Sequence, residues 1–399
     1  MNLSDHLTVQ TLPHPQLLMP VPNMTLARRW LAATVCGRPP VWPLDTQKIS
    51  SAELLAAAQQ EGVVALVEAQ LRQAQKDKGG PACEAGPEQL YQAFTLAARK
   101  EVFVSMVQEA ESRRLLALMA DAGISGLLLK GSALAYWAYA APHLRACSDV
   151  DLLLPSRQAA EELSRRLCAA GAGYERSDTS GELVAYELMC RRQISDALKL
   201  EVDIHWRLAN SPLFADAFAF DELMAESIAL PRLAPGARGL GRVHACMHAC
   251  VHRALNLSIG VQDKLKWLHD LELLMALFTP ADWQRMVDLS ITKGLAGVVR
   301  NGLESASAAF GRQLPEDVSK ALKQAERAEL LDARRLADWR YMQRRTFQAL
   351  PTIALRLRWM WQRVFPTRDY LAGLYEREHQ GYALLMAERF RRAMRRISG

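Results

Sequence analysis

Two aspartates, Asp149 and Asp151, stand one residue apart at the start of a short apolar run. In an extended strand, side chains two residues apart point to the same face, so these residues would have their Cα atoms about 7 Å apart. Like charges held beside apolar residues repel each other and require a compensating cation. The pattern therefore predicts a cation site, and removing either carboxylate is expected to stabilise the cation-free protein.

A third carboxylate, Asp203, lies in a later apolar segment, LKLEVDIHW. If a neighbouring strand brings it to the first two, three carboxylates could bind two Mg²⁺ ions, which prefer carboxylate and phosphate oxygens. Two such ions, about 4 Å apart, can hold the attacking and the leaving oxygen of an in-line phosphoryl displacement. The three aspartates are thus the candidate metal ligands and catalytic residues, and Asp203 is the best candidate to help deprotonate an attacking hydroxyl.

A Lys-Gly-Ser sequence, Lys130 to Ser132, separates an earlier apolar run from a helical segment. Gly131 lets the backbone approach a phosphate closely, and the N-terminus of the following helix offers free N–H groups. The Ser132 hydroxyl can donate to a phosphate, while Lys130 and Arg145 could neutralise phosphate charge. Each feature alone is also typical of a helix cap or a solvated strand end. Their joint order and strand placement favour the chemistry.

Strands and helices must position these residues. Short apolar runs predict strands, and the segments between them predict helices that begin near Ser132 and Ser156. The predicted strands span residues 124–131, 148–155, about 182–186 and 198–206. Strands that alternate with helices form an α/β unit. Before this unit the apolar spacing is helical over 51–75 and 88–122, and it is helical again after residue 209.

The sequence therefore divides into five regions. They are an irregular, proline-rich lead-in (1–48), a helical N-terminal region (49–122), an α/β core (123–209), a helical substrate-side domain (210–330) and an Arg-rich helical C-terminal region (331–399). A loop is expected over 76–87. Of the 399 residues, 50% are hydrophobic and 23% are charged, so the chain can bury a large core without disulfides. This composition excludes disordered, collagen-like and disulfide-rich small proteins.

The seven cysteines are irregularly spaced and include no C-x-x-C pair, which indicates free thiols in a reducing compartment. The N-terminus has neither the basic nor the apolar segment of a signal peptide. The sequence also contains no uncharged apolar run long enough to span a membrane. We therefore expect a cytoplasmic protein.

Charge is unevenly distributed along the chain. The net charge is +6, yet residues 333–399 hold 15 Arg, no Lys and 5 acidic residues, a net of +10. A basic segment favours an anionic partner, either a membrane surface or a nucleic acid, although a solvated helical face is the simpler interpretation. In this segment we expect Trp359, Trp361 and Phe365 to be buried and the region to dock on the protein, because burial stabilises large apolar side chains.

Three histidines, His244, His248 and His252, form one stripe of a predicted helix. Histidines four residues apart can bind zinc, but no glutamate follows the first, so the metalloprotease motif is absent. We expect no structural zinc at this helix.

The run GISGLLLKGSALAYWAYAAPHLRACSDVDLLLP, followed by EVDIHWRL, resembles the polymerase-β-type nucleotidyltransferase superfamily. Within that superfamily it is similar to a largely uncharacterised group of bacterial nucleotidyltransferases. The matching positions are Lys130, Gly131, Arg145, Asp149, Asp151, Asp203, His205 and Trp206, with Ser132 in the small-residue position. The resemblance extends from about residue 101 to about residue 277, more weakly to about residue 375, and the first hundred residues do not contribute to it.

This resemblance implies a polymerase-β-like nucleotidyltransferase core, an α+β or α/β fold whose small mixed sheet and flanking helices lie between helical regions. It implies Mg²⁺-dependent transfer of a nucleoside monophosphate from a nucleoside triphosphate, such as ATP, to an acceptor that it does not identify. Further possible substrate contacts are His205, Trp206, His252, Lys264 and Asp270. Two alternatives stay open: a catalytically silent nucleotide-binding scaffold, and a nucleic-acid-binding protein that acts through its Arg-rich region.

Overall fold

The computed structural model describes most of the chain. The described residues are 24–38, 49–76, 88–171, 173–177, 181–196, 198–375 and 380–398, with only the backbone given for 393 and 395–398. Four helices precede the sheet. They are α1 (Leu26–Val35), α2 (Ser51–Glu61), α3 (Val64–Lys76) and α4 (Glu88–Asp121).

The N-terminal helices correct two predictions. The lead-in is not irregular throughout, because Thr25 caps α1 by accepting from the Arg28 N–H; residues 1–23 and 39–48 lie outside the described residues. The single helix predicted over 51–75 is two helices. Gly62 adopts the left-handed conformation, with a φ of 69°, and ends α2. The loop predicted over 76–87 lies outside the described residues from residue 77 onward.

A seven-stranded mixed sheet forms the centre of the molecule. Its strands are β1 (Leu127–Leu128), β2 (Val150–Leu153), β3 (Glu175–Ser177), β4 (Glu187–Ser195), β5 (Leu198–His205), β6 (Ile228–Ala229) and β7 (Arg238–Gly239). Their order in the sheet is β3-β4-β5-β2-β1-β7-β6. β2 pairs with β5, and β1 with β7, in parallel, whereas the other neighbours are antiparallel. Helices α5 (Lys130–Trp137) and α6 (Arg157–Ala169) follow β1 and β2. This mixed sheet with flanking helices confirms the predicted fold class.

Two features of the sheet differ from the prediction. Residues 182–184 form a turn, closed by hydrogen bonds from Val184 and Ala185 to the Gly181 carbonyl, and β4 begins only at Glu187. The strand predicted near 182–186 is therefore wrong. The sheet also continues past residue 209. After α7 (Phe220–Ala225) the chain returns through β6 and β7 to pair with β1.

Nine helices complete the described fold. They are α8 (Arg242–Ser258), α9 (Leu265–Ala276), α10 (Pro280–Lys293), α11 (Ala296–Phe310), α12 (Glu316–Glu326), α13 (Trp339–Ala349), α14 (Ile353–Val364), α15 (Arg368–Tyr375) and α16 (Tyr382–Ser398). Helices α8 to α11 share one apolar core with α1 to α4, and this core covers one face of the sheet. A second core, which includes α6, covers the other face.

The alternation of side chains along the central strands decides which residues face which core. Val150 and Leu152 of β2, and Val202 and Ile204 of β5, lie in the second core. The residues between them point to the opposite face, which α8 covers, because successive strand side chains alternate. This face carries Asp151 of β2 together with the aspartate and the histidine of β5.

Helix α14 docks on the sheet region through its polar side chains. Gln362 Oε1 accepts a hydrogen bond from the Leu183 N–H at 2.9 Å, and Arg358 Nη2 lies 2.6 Å from Glu182 Oε2. Trp359 is buried, as expected. These contacts agree with the prediction that the Arg-rich region docks on the protein.

The outer face of α14 is apolar and exposed. Trp361 is 63% exposed and Phe365 is 38% exposed, so the prediction that they are buried is wrong. Burial of Trp359 fixes the helix rotation and turns these two side chains outward. Exposed apolar residues recur here at helical spacing and form what we call the α14 stripe: Ile353, Leu357, Met360, Trp361 and Val364. No helix in the described parts of the chain is long and apolar enough to cross a membrane.

Candidate active site

Asp151 and Asp203 lie side by side in the middle of the sheet. The parallel register of β2 and β5 pairs Asp151 with Asp203, and Leu153 with His205. Asp151 is 2% exposed. The remaining predicted carboxylate, Asp149, does not belong to the strand, since it lies in the bend one residue before β2. The sequence therefore placed two of the three aspartates on strands correctly.

Lys130 compensates the charge of Asp151. Its Nζ donates to Asp151 Oδ1 at 2.6 Å. Burial disfavours ionisation of Asp151, but the Lys130 charge and a hydrogen bond from His205 outweigh burial and hold the pKa of Asp151 well below its usual range. Asp151 therefore stays ionised without a metal. This corrects the expectation that removing it would stabilise the cation-free protein.

The backbone at Lys130 is strained. Lys130 has a φ of 51°, the left-handed conformation that side chains other than glycine rarely adopt. Such a conformation costs about 1–2 kcal/mol, and it persists where the surrounding structure imposes it. At Lys130 the conformation lets the chain pass from β1 directly into α5 while the side chain reaches across to β2. Sequence spacing alone does not reveal this contact.

Asp203 is in the opposite electrostatic state. Its Oδ1 is buried and has no hydrogen-bond partner among the described residues. Burial, followed by the charges of Glu187 and Asp151, raises the pKa of Asp203 to about 8. A carboxyl group with this pKa holds a proton at neutral pH, and it would release that proton if a cation replaced it.

His205 lies between two carboxylates. Its Nε2 is 3.2 Å from Asp151 Oδ1, and its Nδ1 is 3.2 Å from Glu187 Oε2, although the latter contact lacks hydrogen-bond geometry. Burial lowers the pKa of His205, but the Glu187 charge and the Asp151 hydrogen bond raise it overall. His205 therefore orients carboxylates. Its predicted contact with substrate stays a prediction.

Glu187 is a residue that the sequence analysis missed. It opens β4 and pairs with His205 across the antiparallel register of β4 and β5. The error follows from placing this strand at 182–186. Alternation counted from residue 187 would have placed Glu187 on the same face of the sheet as Asp203 and His205 of β5.

The carboxylates and the histidine form a set that could hold a metal ion. Ligand atoms of Asp151, Asp203 and His205 all lie within 4.8 Å of one another. The carboxylate oxygens and the unpartnered Asp203 Oδ1 fit a hard cation such as Mg²⁺. Asp149 lies nearby, and burial and the Asp151 charge raise its pKa, while Ser148 Oγ donates to its Oδ1 at 3.1 Å. Metal binding by Asp149 stays a prediction.

Ser132 and Gly131 have structural partners within the protein. Ser132 Oγ donates to the Asp149 carbonyl and accepts from the Asp151 N–H, both at 3.2 Å, and so fastens α5 to the aspartate segment. A Cβ on Gly131 would lie 2.5 Å from Cys147 Sγ, so glycine is required for this close approach. Direct phosphate contacts by these two residues stay predictions.

Arg145 and Asp270 pair with each other in the interior. Arg145 Nε and Nη2 donate to the two carboxylate oxygens of Asp270, both at 2.7 Å. Its Nη1 donates to the Ala146 carbonyl, and the Tyr139 hydroxyl donates to Asp270 Oδ1 at 2.7 Å. Both side chains are 6% exposed. The geometry therefore assigns this pair a structural role and does not favour the predicted contacts with phosphate and substrate.

The other predicted contacts fall in different places. Trp206 points to the opposite face of the sheet, where Arg157 Cζ lies 5.7 Å from its ring centroid, so it is not brought to the site. Lys264 Nζ lies 5.7 Å from the Trp267 ring. His252 faces a cavity that Lys130 also lines. Of these three residues, the structure places only His252 beside the carboxylates.

Lys266 is a second residue that the sequence analysis missed. Burial lowers its pKa, and so do the charges of Arg145 and Lys264. Its own charge lowers the pKa of Asp149. Within the described parts of the chain it has no ion pair. The sequence KLKW contains two lysines, and the second one, Lys266 in α9, is the lysine whose charge acts on Asp149.

A cavity of about 300 Å³ opens beside the carboxylates. Glu187 and Asp203 line it from the sheet, and Lys130 lines it from the start of α5. From α8, His248 and His252 line it, and burial together with the Lys130 charge lowers the pKa of His248 to about 3. Helices α13 and α14 complete the wall with Met342, Gln343, Thr346, Trp359 and Arg363.

Comparison with known families agrees with the geometry. A family model described as "Uncharacterised nucleotidyltransferase" matches residues 47–311, about two thirds of the chain. This match includes every strand of the sheet and helices α2 to α11. It begins well before residue 101, so the view that the first hundred residues do not contribute is wrong. No curated protein matches the chain.

Proposed function

Because this chain belongs to the uncharacterised nucleotidyltransferase family, we propose that it transfers a nucleoside monophosphate from a nucleoside triphosphate to a hydroxyl group of an acceptor. The observation that carries the proposal is the pairing of Asp151 and Asp203 on adjacent parallel strands, with one buried carboxylate oxygen left unpartnered. A structural ion pair would leave no such oxygen.

The carboxylates of Asp151 and Asp203, with Asp149 beside them, would hold Mg²⁺. We propose that the three carboxylates together bind two ions. When bound, the ions would supply positive charge that neutralises the triphosphate. The chain's own cations, Lys130 and Lys266, add positive charge near Asp149, since both lower the pKa of its carboxyl group. The site therefore combines carboxylates for cations with lysines for phosphate oxygens.

The transfer step uses a carboxylate to accept a proton. The acceptor oxygen forms a bond to the α-phosphorus, the bond from this phosphorus to the bridging oxygen breaks, and pyrophosphate leaves. The hydroxyl proton passes to Asp203. In the metal-free protein Asp203 holds a proton, because its pKa is raised to about 8. It would release that proton when Mg²⁺ binds, which leaves a carboxylate able to accept the one from the hydroxyl. The rest of the rate enhancement comes from positioning and charge neutralisation.

Calorimetry with each nucleoside triphosphate and Mg²⁺ tests this proposal. Asp203→Asn and the Asp149→Asn, Asp151→Asn double variant should lose Mg²⁺-dependent nucleotide binding, whereas Asp288→Asn, an exposed control, should retain it. Absence of binding at millimolar nucleotide would refute the proposal. Binding without transfer of labelled nucleotide to any component of a cell extract would favour the catalytically silent alternative.

We also propose an anionic lipid surface as a partner for the C-terminal region. Its net charge of +10 would attract such a surface, and the α14 stripe would insert its apolar side chains between the headgroups. Nucleic acid is the weaker interpretation, because four members of the stripe are aliphatic or thioether side chains that phosphate and base edges do not bind.

Sedimentation with phosphatidylserine vesicles tests the lipid surface. A Leu357→Ser, Val364→Ser variant should bind less, while Leu374→Ser, exposed outside the stripe, should bind like the wild type. Replacing Arg391, Arg392, Arg395 and Arg396 by Ala should weaken binding mainly at low salt. Equal binding to neutral vesicles, or tighter binding to DNA or RNA, would refute this proposal.

A further inference from the structure

The cavity beside Asp203 is separate from the recess around the Gly-Ser turn. The recess is lined by Gly131, Ser132 and Arg145, three of the four residues predicted to bind phosphate, and by the predicted metal ligand Asp149. None of these four lines the larger cavity, whereas Lys130, the remaining predicted phosphate contact, does. Since Asp203 is the proposed proton acceptor, the cavity that it lines is the one that must admit the acceptor hydroxyl.

The wall of this cavity combines elements within the family match with a segment that lies outside it. Asp203 and the α8 residues lie within the matched residues 47–311, but α13 and α14 follow them. Gln362 and Arg358 fix α14 against the turn that precedes β4. Selectivity for the acceptor can therefore be a property of this chain's own C-terminal helices.

Two polar groups of this added wall have no hydrogen-bond or ion-pair partner among the described residues. In the described parts of the chain, no hydrogen bond or ion pair engages the Arg363 guanidinium, which lies 5.0 Å from the Trp359 ring centroid. Burial lowers the pKa of Arg363, and the nearby Arg389 charge lowers it further. Gln343 Oε1 is buried without a hydrogen-bond partner among the described residues. A half-buried cation in this state calls for an anion, and the amide oxygen calls for a donor.

Resting on the proposed nucleotidyl transfer, we infer that the acceptor is a hydroxyl compound with an apolar or aromatic body and one anionic group, a carboxylate or a phosphate. Arg363 binds the anionic group, Trp359 and Met342 contact the apolar body, and Gln343 accepts a hydrogen bond from the acceptor. The hydroxyl then faces Asp203. The cavity volume of about 300 Å³ accommodates a single-ring compound of this kind.

Binding of simple probes to the full-length, nucleotide-free protein tests the inference. The probes are 3-phenylpropionate, phenyl phosphate and the uncharged 3-phenylpropionamide. At least one anion should bind about tenfold more tightly than the amide, a difference of about 1.4 kcal/mol. Which anion binds better distinguishes a carboxylate acceptor from a phosphate acceptor. Arg363→Gln should abolish the preference and leave Mg²⁺-dependent nucleotide binding unchanged, while Arg344→Gln, an exposed residue of α13, should keep both.

Four results would overturn the inference. The first two are equal affinity for the charged and the uncharged probes, and binding of none of them at low millimolar concentration. The other two are an unchanged preference for the anion in Arg363→Gln, and displacement of the anion by nucleoside triphosphate with Mg²⁺. The last result would place the donor in this cavity. Failure of the proposed function is distinguishable, because it would appear as loss of nucleotide binding in the wild type, independently of the probes.

Discussion

Two clusters of buried charge lie close together in this molecule, and they differ in how fully their polar groups are paired. Around Arg145, every nitrogen of the guanidinium donates to an acceptor within the protein, and Asp270 also accepts from Tyr139. Around Asp203, a carboxylate oxygen has no partner among the described residues, and its pKa is raised to about 8. Both clusters contain residues of the same sequence signature.

The difference distinguishes buried charges that hold the fold together from buried charges that bind a ligand or take part in a reaction. A buried ion pair with complete hydrogen bonding holds two parts of the chain together, here the segment before β2 and helix α9. A buried carboxylate without a partner costs folding free energy, and such groups are concentrated at sites that bind ligands or react. Residues of one family signature can thus serve either purpose, and only the pairing of their atoms tells which.

The largest expected effect is the loss of stability when the ion pair of Arg145 and Asp270 is broken. Arg145→Met should lower the free energy of unfolding by about 3–5 kcal/mol, because it leaves the Asp270 carboxylate buried without its cation. Urea denaturation measures this change. An Arg145→Met, Asp270→Leu double variant should recover much of the loss. If Arg145 instead serves mainly to bind phosphate, the single variant will keep its stability and lose only nucleotide affinity.

A smaller loss is expected at the ionised aspartate. Asp151→Asn should lower the free energy of unfolding of the metal-free protein by about 2–3 kcal/mol, since it removes charge-assisted hydrogen bonds from Lys130 and His205. Thermal or urea unfolding in the presence of a chelator measures it. Stabilisation by this change would restore the simple picture of carboxylate repulsion, and the Lys130 contact would then be of little energetic importance.

At Asp203 the expected change in the free energy of unfolding has the opposite sign, because removing this carboxyl group should stabilise the metal-free protein at high pH. A carboxyl group whose folded-state pKa is raised contributes stability below its ordinary pKa and loses that contribution as the pH rises through the folded value, about 8 here. Metal-free wild-type protein should therefore lose stability from about pH 4 to pH 8. Asp203→Asn avoids this loss and should be more stable by about 1–2 kcal/mol at pH 8, after allowance for relaxation of the buried site. Chelator-treated samples unfolded in urea across this range test the reversal, and an equal stability difference at pH 5 and pH 8 would contradict it.

Sequence reasoning found the fold and most of the carboxylates because both follow from local patterns. Apolar runs and their alternation with helices specify the sheet, and the spacing of Asp149 and Asp151 needs no distant partner. The pairing of Arg145 with Asp270 joins residues far apart in the chain, and packing of α9 against the core decides it. Glu187 was missed because the beginning of its strand was misplaced, and Arg363 because nothing in the sequence places α14 at the cavity that Asp203 lines.

The smallest expected effect is the pH dependence of metal binding by the unpaired cluster around Asp203. A divalent cation that binds Asp203 must displace its proton, so the affinity of the protein for Mn²⁺ or Mg²⁺ should rise with pH. The increase should be at most about tenfold per pH unit, equivalent to about 1.4 kcal/mol, and should level off above about pH 8, where Asp203 is ionised without the metal. Calorimetry in two buffers of different ionisation enthalpy should detect release of close to one proton at pH 7. Asp203→Asn should remove both the pH dependence and the proton release, and weak residual binding to Asp149 and Asp151 should then be independent of pH in this range. A pH dependence that survives in Asp203→Asn would transfer the titrating group to another residue, and the contrast between the paired and the unpaired cluster would lose its chemical meaning.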